Sequence, residues 1–148
     1  MKKIIICVLL YCSPSYLIAI ALPGTPDEYD WTSYEEAKSA AEWHAQVFKG
    51  RYWLELQNHG IPDQEMVNVG IISLADELGL PLVVTNDAHY MHRDDADAHD
   101  TLLCIGTGKD KDDPNRLRFF GEESYFKTAE EMAQLFSDLP GLLGETVK

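Results

Sequence analysis

One run of residues narrows the fold more than any other feature: a strand, a helix and a second strand laid end to end over residues 52–85. Tyr52, Leu54 and Leu56 alternate with Trp53, Glu55 and Gln57, the period-two pattern of a strand with one apolar face. His59-Gly60 turns the chain. Pro62 suits the first turn of a helix, where its missing N–H costs nothing. Met66, Val67, Val69, Ile71, Ile72, Leu74, Ala75 and Leu78 then make a broadly apolar helix that Gly79 stops. Leu82-Val83-Val84-Thr85 is a short apolar strand without alternation, as expected when both faces of a sheet are covered. That order predicts a parallel βαβ unit with a right-handed crossover, and so an α/β fold.

The flanks extend this frame. Ser33-Tyr34-Glu35-Glu36 has the form of a capping box, and the helix it opens runs to about Phe48, with Tyr34, Ala37, Ala41, His44 and Phe48 on one stripe. Asp94 or Asp95 begins another helix with acidic residues in its first turn; Leu102, Leu103, Cys104 and Ile105 form its apolar end, and Gly106 and Gly108 close it. Residues 109–115 are a polar loop, and residues 119–126 read as a loop with a short extended piece. Thr128-Ala129-Glu130-Glu131 is a second capping box, opening a short helix through Met132, Leu135 and Phe136. The apolar pattern of Leu142, Leu143 and Val147 is still running at Lys148.

The 148 residues carry 12 basic and 25 acidic side chains, a formal net charge of -13. Phosphate contacts need clustered Lys and Arg, so this balance argues against a nucleic-acid-binding surface on the chain itself. A hydrophobic content of 45% suffices for a packed core. Residues 1–22 do not match the rest. Lys2 and Lys3 precede an apolar run over residues 4–10, and a second run follows Ser13-Pro14-Ser15. That outline fits an export signal. It equally fits buried strands of an α/β domain over residues 4–10 and 16–21. The Ser-Pro-Ser break argues against a single bilayer span, which needs about 20 apolar residues. Cys7, Cys12 and Cys104 form neither a disulfide framework nor a CxxC pair, so the body reads as intracellular.

The sharpest candidate for chemistry is Thr85-Asn86-Asp87-Ala88-His89-Tyr90, at the C-terminal end of a buried parallel strand, where ligands collect in α/β sheets. If the strand continues, Asp87 and His89 project to one face, and a carboxylate oxygen and an imidazole nitrogen converge in a pair suited to Zn²⁺ or Mn²⁺. Asn-Asp is also ordinary turn chemistry, and that reading stays open. His59 could line the same rim, though a histidine in such a turn more often bonds to backbone. Glu55 and Gln57 share a strand face and could stand behind the site or pair across strands. His92 reads as a solvated turn residue, and His99 as a packed or capping one. Lys109, Lys111, Arg116 and Arg118 are interleaved with Asp110, Asp112 and Asp113, so their field largely cancels. Cys104 reads as a small buried hydrophobe.

Several blocks in order carry a resemblance. They are Tyr52-Trp53-Leu54-Glu55-Leu56-Gln57-Asn58-His59-Gly60, then the stretch over residues 79–90, then Ala98-His99-Asp100-Thr101-Leu102-Leu103-Cys104-Ile105. Asp112-Asp113-Pro114-Asn115-Arg116, residues 125–132 and residues 136–140 complete the run. Over about two thirds of its length the chain resembles the bacterial replicative DNA polymerase III alpha subunits. The resemblance implies an incomplete PHP-type distorted β/α barrel over residues 23–108, a helical extension over residues 109–148 leading towards the polymerase palm, and a cytoplasmic location. It implies that Asp87 and His89 are the last metal motif of the PHP domain; His59, Glu55 and Asn86 are candidates to stand behind them by their places in the chain. The cofactor implied is Zn or Mn, with Mg for the parent polymerase. It implies DNA, deoxynucleotides and other replicase subunits as partners of that parent, and metal-dependent 3′-5′ exonuclease or phosphoesterase action, or a structural role, for an intact PHP site.

The chain also departs from the family pattern. The earlier His motifs would lie upstream, and Leu22-Pro23-Gly24-Thr25 stands where the family places a ligand Cys. Two ligands from one strand do not hold a catalytic cluster, so the expectation is a segment of the subunit, inactive alone. In that setting the signal-like start reads as the interior of a truncated or misassembled frame. The alternatives are a self-standing PHP-type phosphoesterase and a small exported binding protein built from the fold.

Overall fold

A computed structural model describes residues 11–13, 16–18, 34–119 and 121–144. The predicted βαβ unit is present. Strand β3 (Tyr52–Leu56) leads into helix α2 (Pro62–Leu78) and then into strand β4 (Leu82–Val84). The two strands are parallel, with Leu54 opposite Leu82 and Leu56 opposite Val84. Pro62 sits in the first turn of α2, and Gly79 ends the helix at φ +63°. That left-handed turn suits glycine, and it lets the Leu80 N–H reach back to the Ala75 carbonyl at 2.9 Å.

Strands β1 (Tyr11–Ser13) and β2 (Tyr16–Ile18) extend the sheet to the order β1-β2-β3-β4. β1 and β2 are antiparallel, and β2 runs parallel to β3 with Leu17 opposite Tyr52. Residues 16–18 therefore take the strand reading of the N-terminal segment. The run at residues 4–10, Ser33 of the first capping box and the Leu22–Thr25 departure lie outside the described residues.

Helix α1 (Tyr34–Val47) buries Ala41, and α2 buries Ile71, Leu74 and Ala75. These meet Tyr52, Leu54 and Leu56 of β3, Val84 of β4 and Phe136 in one core. Leu56 and Val84 are each only 1% exposed. Burying a side chain of that size contributes about 1.5–3 kcal/mol. Phe136 reaches this core because helix α4 (Ala129–Leu135) is capped where the sequence predicted. The Glu131 N–H donates to Thr128 Oγ1 at 3.2 Å, and the Thr128 N–H donates to Glu131 Oε2 at 2.8 Å.

A 3-10 turn, Arg93–Asp95, precedes helix α3 (Ala96–Thr107), which runs through Gly106 and ends at Gly108. The polar loop that follows is fastened back onto α3: Arg116 holds Asp100 in a two-point pair at 2.5 and 2.7 Å. Among the described residues no helix is long and apolar enough to cross a membrane.

Candidate functional site

Parallel pairing of β3 and β4 brings their C-terminal ends together, and the candidate residues gather there. Glu55 comes first from the chain. It is 4% exposed. Its Oε1 accepts the Thr85 hydroxyl and, at 3.3 Å, the Gln57 amide. Its Oε2 is buried with no hydrogen-bond partner among the described residues. Burial pushes the Glu55 carboxyl up from the ordinary 4.5 to about 7; the Gln57 bond pulls it down, and the Asp87 charge adds to the rise.

His59 is buried in the turn after β3. Its Nε2 lies 2.8 Å from the Asn86 carbonyl oxygen, which only accepts, so Nε2 carries the proton. Nδ1 is then free to accept from the Gln64 amide at 3.1 Å, while Gln64 Oε1 takes the His59 backbone N–H at 2.6 Å. Both ring nitrogens are engaged. His59 therefore ties the β3 turn to the β4 end as a backbone-bonded residue and does not offer a ligand nitrogen.

Beyond Val84 the strand does not continue. Asp87 adopts φ +43°, a left-handed conformation that non-glycine residues rarely take. The premise that Asp87 and His89 share a pleat face is corrected here. They converge all the same, His89 Nε2 standing 3.3 Å from Asp87 Oδ2. Distant anchoring produces the convergence. Asn86 donates its side-chain amide to the Tyr125 carbonyl at 2.6 Å, and the His89 N–H donates to the Ser124 carbonyl at 2.8 Å. A bridge pairs Tyr90 with Tyr125. The extended piece expected within residues 119–126 is what holds the candidate couplet in place.

The His89 ring lies edge-on to Phe119 at 4.5 Å and 5.5 Å from the His99 ring. His99 in turn packs against Phe119 and Tyr90, as a packed residue rather than a ligand. His92 is exposed, and its backbone N–H is taken by Asp95 at 2.9 Å. The basic cluster is spent on acids and carbonyls: Lys109 on Asp113, Lys111 on Asp97, Arg116 on Asp100, and Arg118 on the Lys111 carbonyl.

Could these residues hold a divalent metal? Two ligands about 2.0–2.2 Å from a tetrahedral zinc stand about 3.4 Å apart. The Asp87–His89 separation of 3.3 Å matches that. The partnerless Oε2 of Glu55 and Oδ1 of Asn86, both buried nearby in the chain's path, are further acceptors without a donor. Among the described residues no group of three or more His, Cys, Asp or Glu is placed to hold an ion. The couplet therefore fits as part of a ligand set, not as a whole one. Thr85, Gln64, Phe119 and Tyr125 also shape the site, and only Thr85 lay inside the motif that marked it.

No protein-family model matches the chain. Among curated proteins it is similar to the DNA polymerase III subunit alpha of Borreliella burgdorferi, 48% identical over 115 residues, which is 78% of this chain and 10% of that protein. It is 46% identical to the subunit of Treponema pallidum over 116 residues, 75% of the chain and 10% of the relative. It is 47% identical to the subunit of Pseudomonas fluorescens over 109 residues, 74% of the chain and 9% of the relative. The chain thus spans about a tenth of the length of the curated relatives it matches.

Proposed function

We propose that the chain is a segment of a bacterial replicative DNA polymerase III alpha subunit, a DNA-directed DNA polymerase of the cytoplasm. The identity of 48% over 78% of the chain carries this reading. Within the parent, residues 23–108 close a PHP-type β/α barrel and residues 109–148 lead towards the palm. The parent works on DNA and deoxynucleotides, with Mg²⁺ at its polymerase centre, among other replicase subunits. The chain alone, with its net charge of -13, does not bind DNA.

Asp87 and His89 are the metal couplet of the PHP site, taking Zn²⁺ or Mn²⁺. Such an ion supplies Lewis acidity towards a phosphodiester when the full ligand set is present. The chain's own residues do the rest. His59 and Asn86 fix the turn that presents Asp87, and Glu55 places a second carboxyl beneath it. Alone, the couplet binds a divalent ion weakly and turns over no substrate.

Calorimetric titration of the 148-residue chain with MnCl₂ and ZnCl₂ tests the couplet. His89→Ala is expected to weaken binding at least tenfold, with the melting temperature in metal-free buffer unchanged. An unaltered affinity removes Asp87 and His89 as a site.

A further inference from the structure

Among the described residues, helix α3 turns one apolar side inwards and leaves another exposed. The run Leu102-Leu103-Cys104-Ile105 places Cys104, 8% exposed, and half-buried Leu103 towards the body of the protein. Ala98, Leu102 and Ile105, at spacing i, i+4 and i+7, form a stripe on the other side. Leu102 is 64% exposed and Ile105 73%. The side chains that fasten the following loop, Asp97 and Thr101 to Lys111 and Asp100 to Arg116, lie off this stripe, and among the described residues the loop leaves Leu102 and Ile105 exposed. Single exposed aliphatics are ordinary, but Leu102 and Ile105 stand less than one turn apart on one stripe and so form a contiguous apolar face.

The comparison with relatives says what that partner is. A continuous stretch of 115 residues in a chain of 148 leaves 33 outside it, so any placement includes residues 34–115, and with them the whole of α3. The helix thus lies within the matched stretch, and that stretch is 10% of the relative's length. We infer that the stripe of Ala98, Leu102 and Ile105 is an internal docking face, covered in the complete subunit by polypeptide from outside the matched segment. The covering surface is apolar at its centre, to receive Leu102 and Ile105. This rests on the reading of the chain as a segment of the alpha subunit.

Hydroxyl-radical footprinting tests it. Oxidation rates of Leu102 and Ile105 are measured in the 148-residue chain at two concentrations. They are measured again in a full-length Borreliella burgdorferi subunit whose matched 115 residues are replaced by those of this chain. Oxidation of both residues at least tenfold slower in the chimera, with no dependence on concentration in the isolated chain, is the expected result. A soluble, primer-extending chimera in which both residues stay as reactive as in the isolated chain overturns the docking face and leaves the segment reading standing. A chimera that is insoluble or extends no primer, where the unaltered subunit does, overturns the segment reading and the docking face with it. Protection that grows with concentration in the isolated chain assigns the stripe to a second copy and overturns the inference. In the chimera, Leu102→Glu combined with Ile105→Glu lowers the melting temperature, while in the isolated chain the same pair leaves it unchanged; equal effects in both contradict the proposal.

Discussion

Glu55 makes the stability of the chain depend on pH in an unusual direction. Most native carboxyls are held below their ordinary range, and stability then falls as acid is added. Glu55 is the reverse case, pushed up to about 7 by burial in β3. Between the ordinary 4.5 and 7 the folded chain holds a proton at Glu55 that the unfolded chain has released. Unfolding then releases a proton, so stability falls as pH rises through that window and levels off above it. At about 1.4 kcal/mol per pH unit, the loss attributable to Glu55 between pH 5 and pH 8 is about 2–3 kcal/mol. The group is 4% exposed, so solvent screening does not reduce this much.

Glu55→Gln isolates the effect. Glutamine mimics the protonated acid: its Oε1 still accepts from Thr85 and Gln57, and no charge is buried at any pH. Urea unfolding at pH 5, 6, 7 and 8, followed by circular dichroism, gives the free energy of each protein. The variant should match the parent near pH 5 and exceed it by about 2–3 kcal/mol at pH 8. Taking the difference removes the contribution of every other titrating group. Parallel pH profiles for the two proteins, or a variant less stable at pH 8 than the parent, would refute the assignment of a buried, high-titrating carboxyl at the end of β3.

Three further outcomes follow from the packing. Leu56→Ala removes the most buried large side chain of β3 and should cost about 2–5 kcal/mol in urea unfolding at constant slope; a loss under about 1 kcal/mol would mean the core is loose there. Thr128→Ala deletes the cap of α4 and should cost about 1 kcal/mol, with Thr128→Ser restoring most of it; equal stability of all three proteins would show that the reciprocal bonds carry nothing. The isolated chain should melt broadly and at low temperature by calorimetry, because three of the four strands among the described residues have only three residues each; a sharp cooperative transition of a monomer contradicts this.

The frame of the fold was legible because its signals are local. Pro62 and Gly79 bracket α2 as backbone chemistry requires, and the Thr128 box caps α4. The alternating β3 and the apolar β4 pair in parallel. Strand ends were less legible. The pattern extended β3 to Gln57 and β4 to Thr85, whereas the strands stop at Leu56 and Val84. At these ends Glu55, Gln57 and Thr85 bond to one another through their side chains, and apolar periodicity carries no information about that. The hairpin of β1 and β2 was less legible still, since an apolar run behind two lysines reads as readily for export as for a buried sheet.

The couplet shows how a site can be found for an incomplete reason. Strand periodicity was to set Asp87 and His89 side by side, and the strand is not there. What brings them to 3.3 Å is a left-handed residue at Asp87 and two anchors to residues near Tyr125, more than 30 positions away in sequence. Those anchors, Asn86 to the Tyr125 carbonyl and His89 to the Ser124 carbonyl, are bonds to backbone, so the identities of the anchoring residues hold no trace of them. The side chains could be named from the motif because the chemistry of a carboxylate and an imidazole is written in their types. Their geometry could not, because it is set by a loop whose own side chains point elsewhere: Tyr125 to Glu131, and Lys127 to Glu123. Weakening that loop should therefore disturb the couplet without touching either of its members. The same dependence explains why a segment that holds residues 85–90 but lacks residues 121–128 would keep the motif and lose the site.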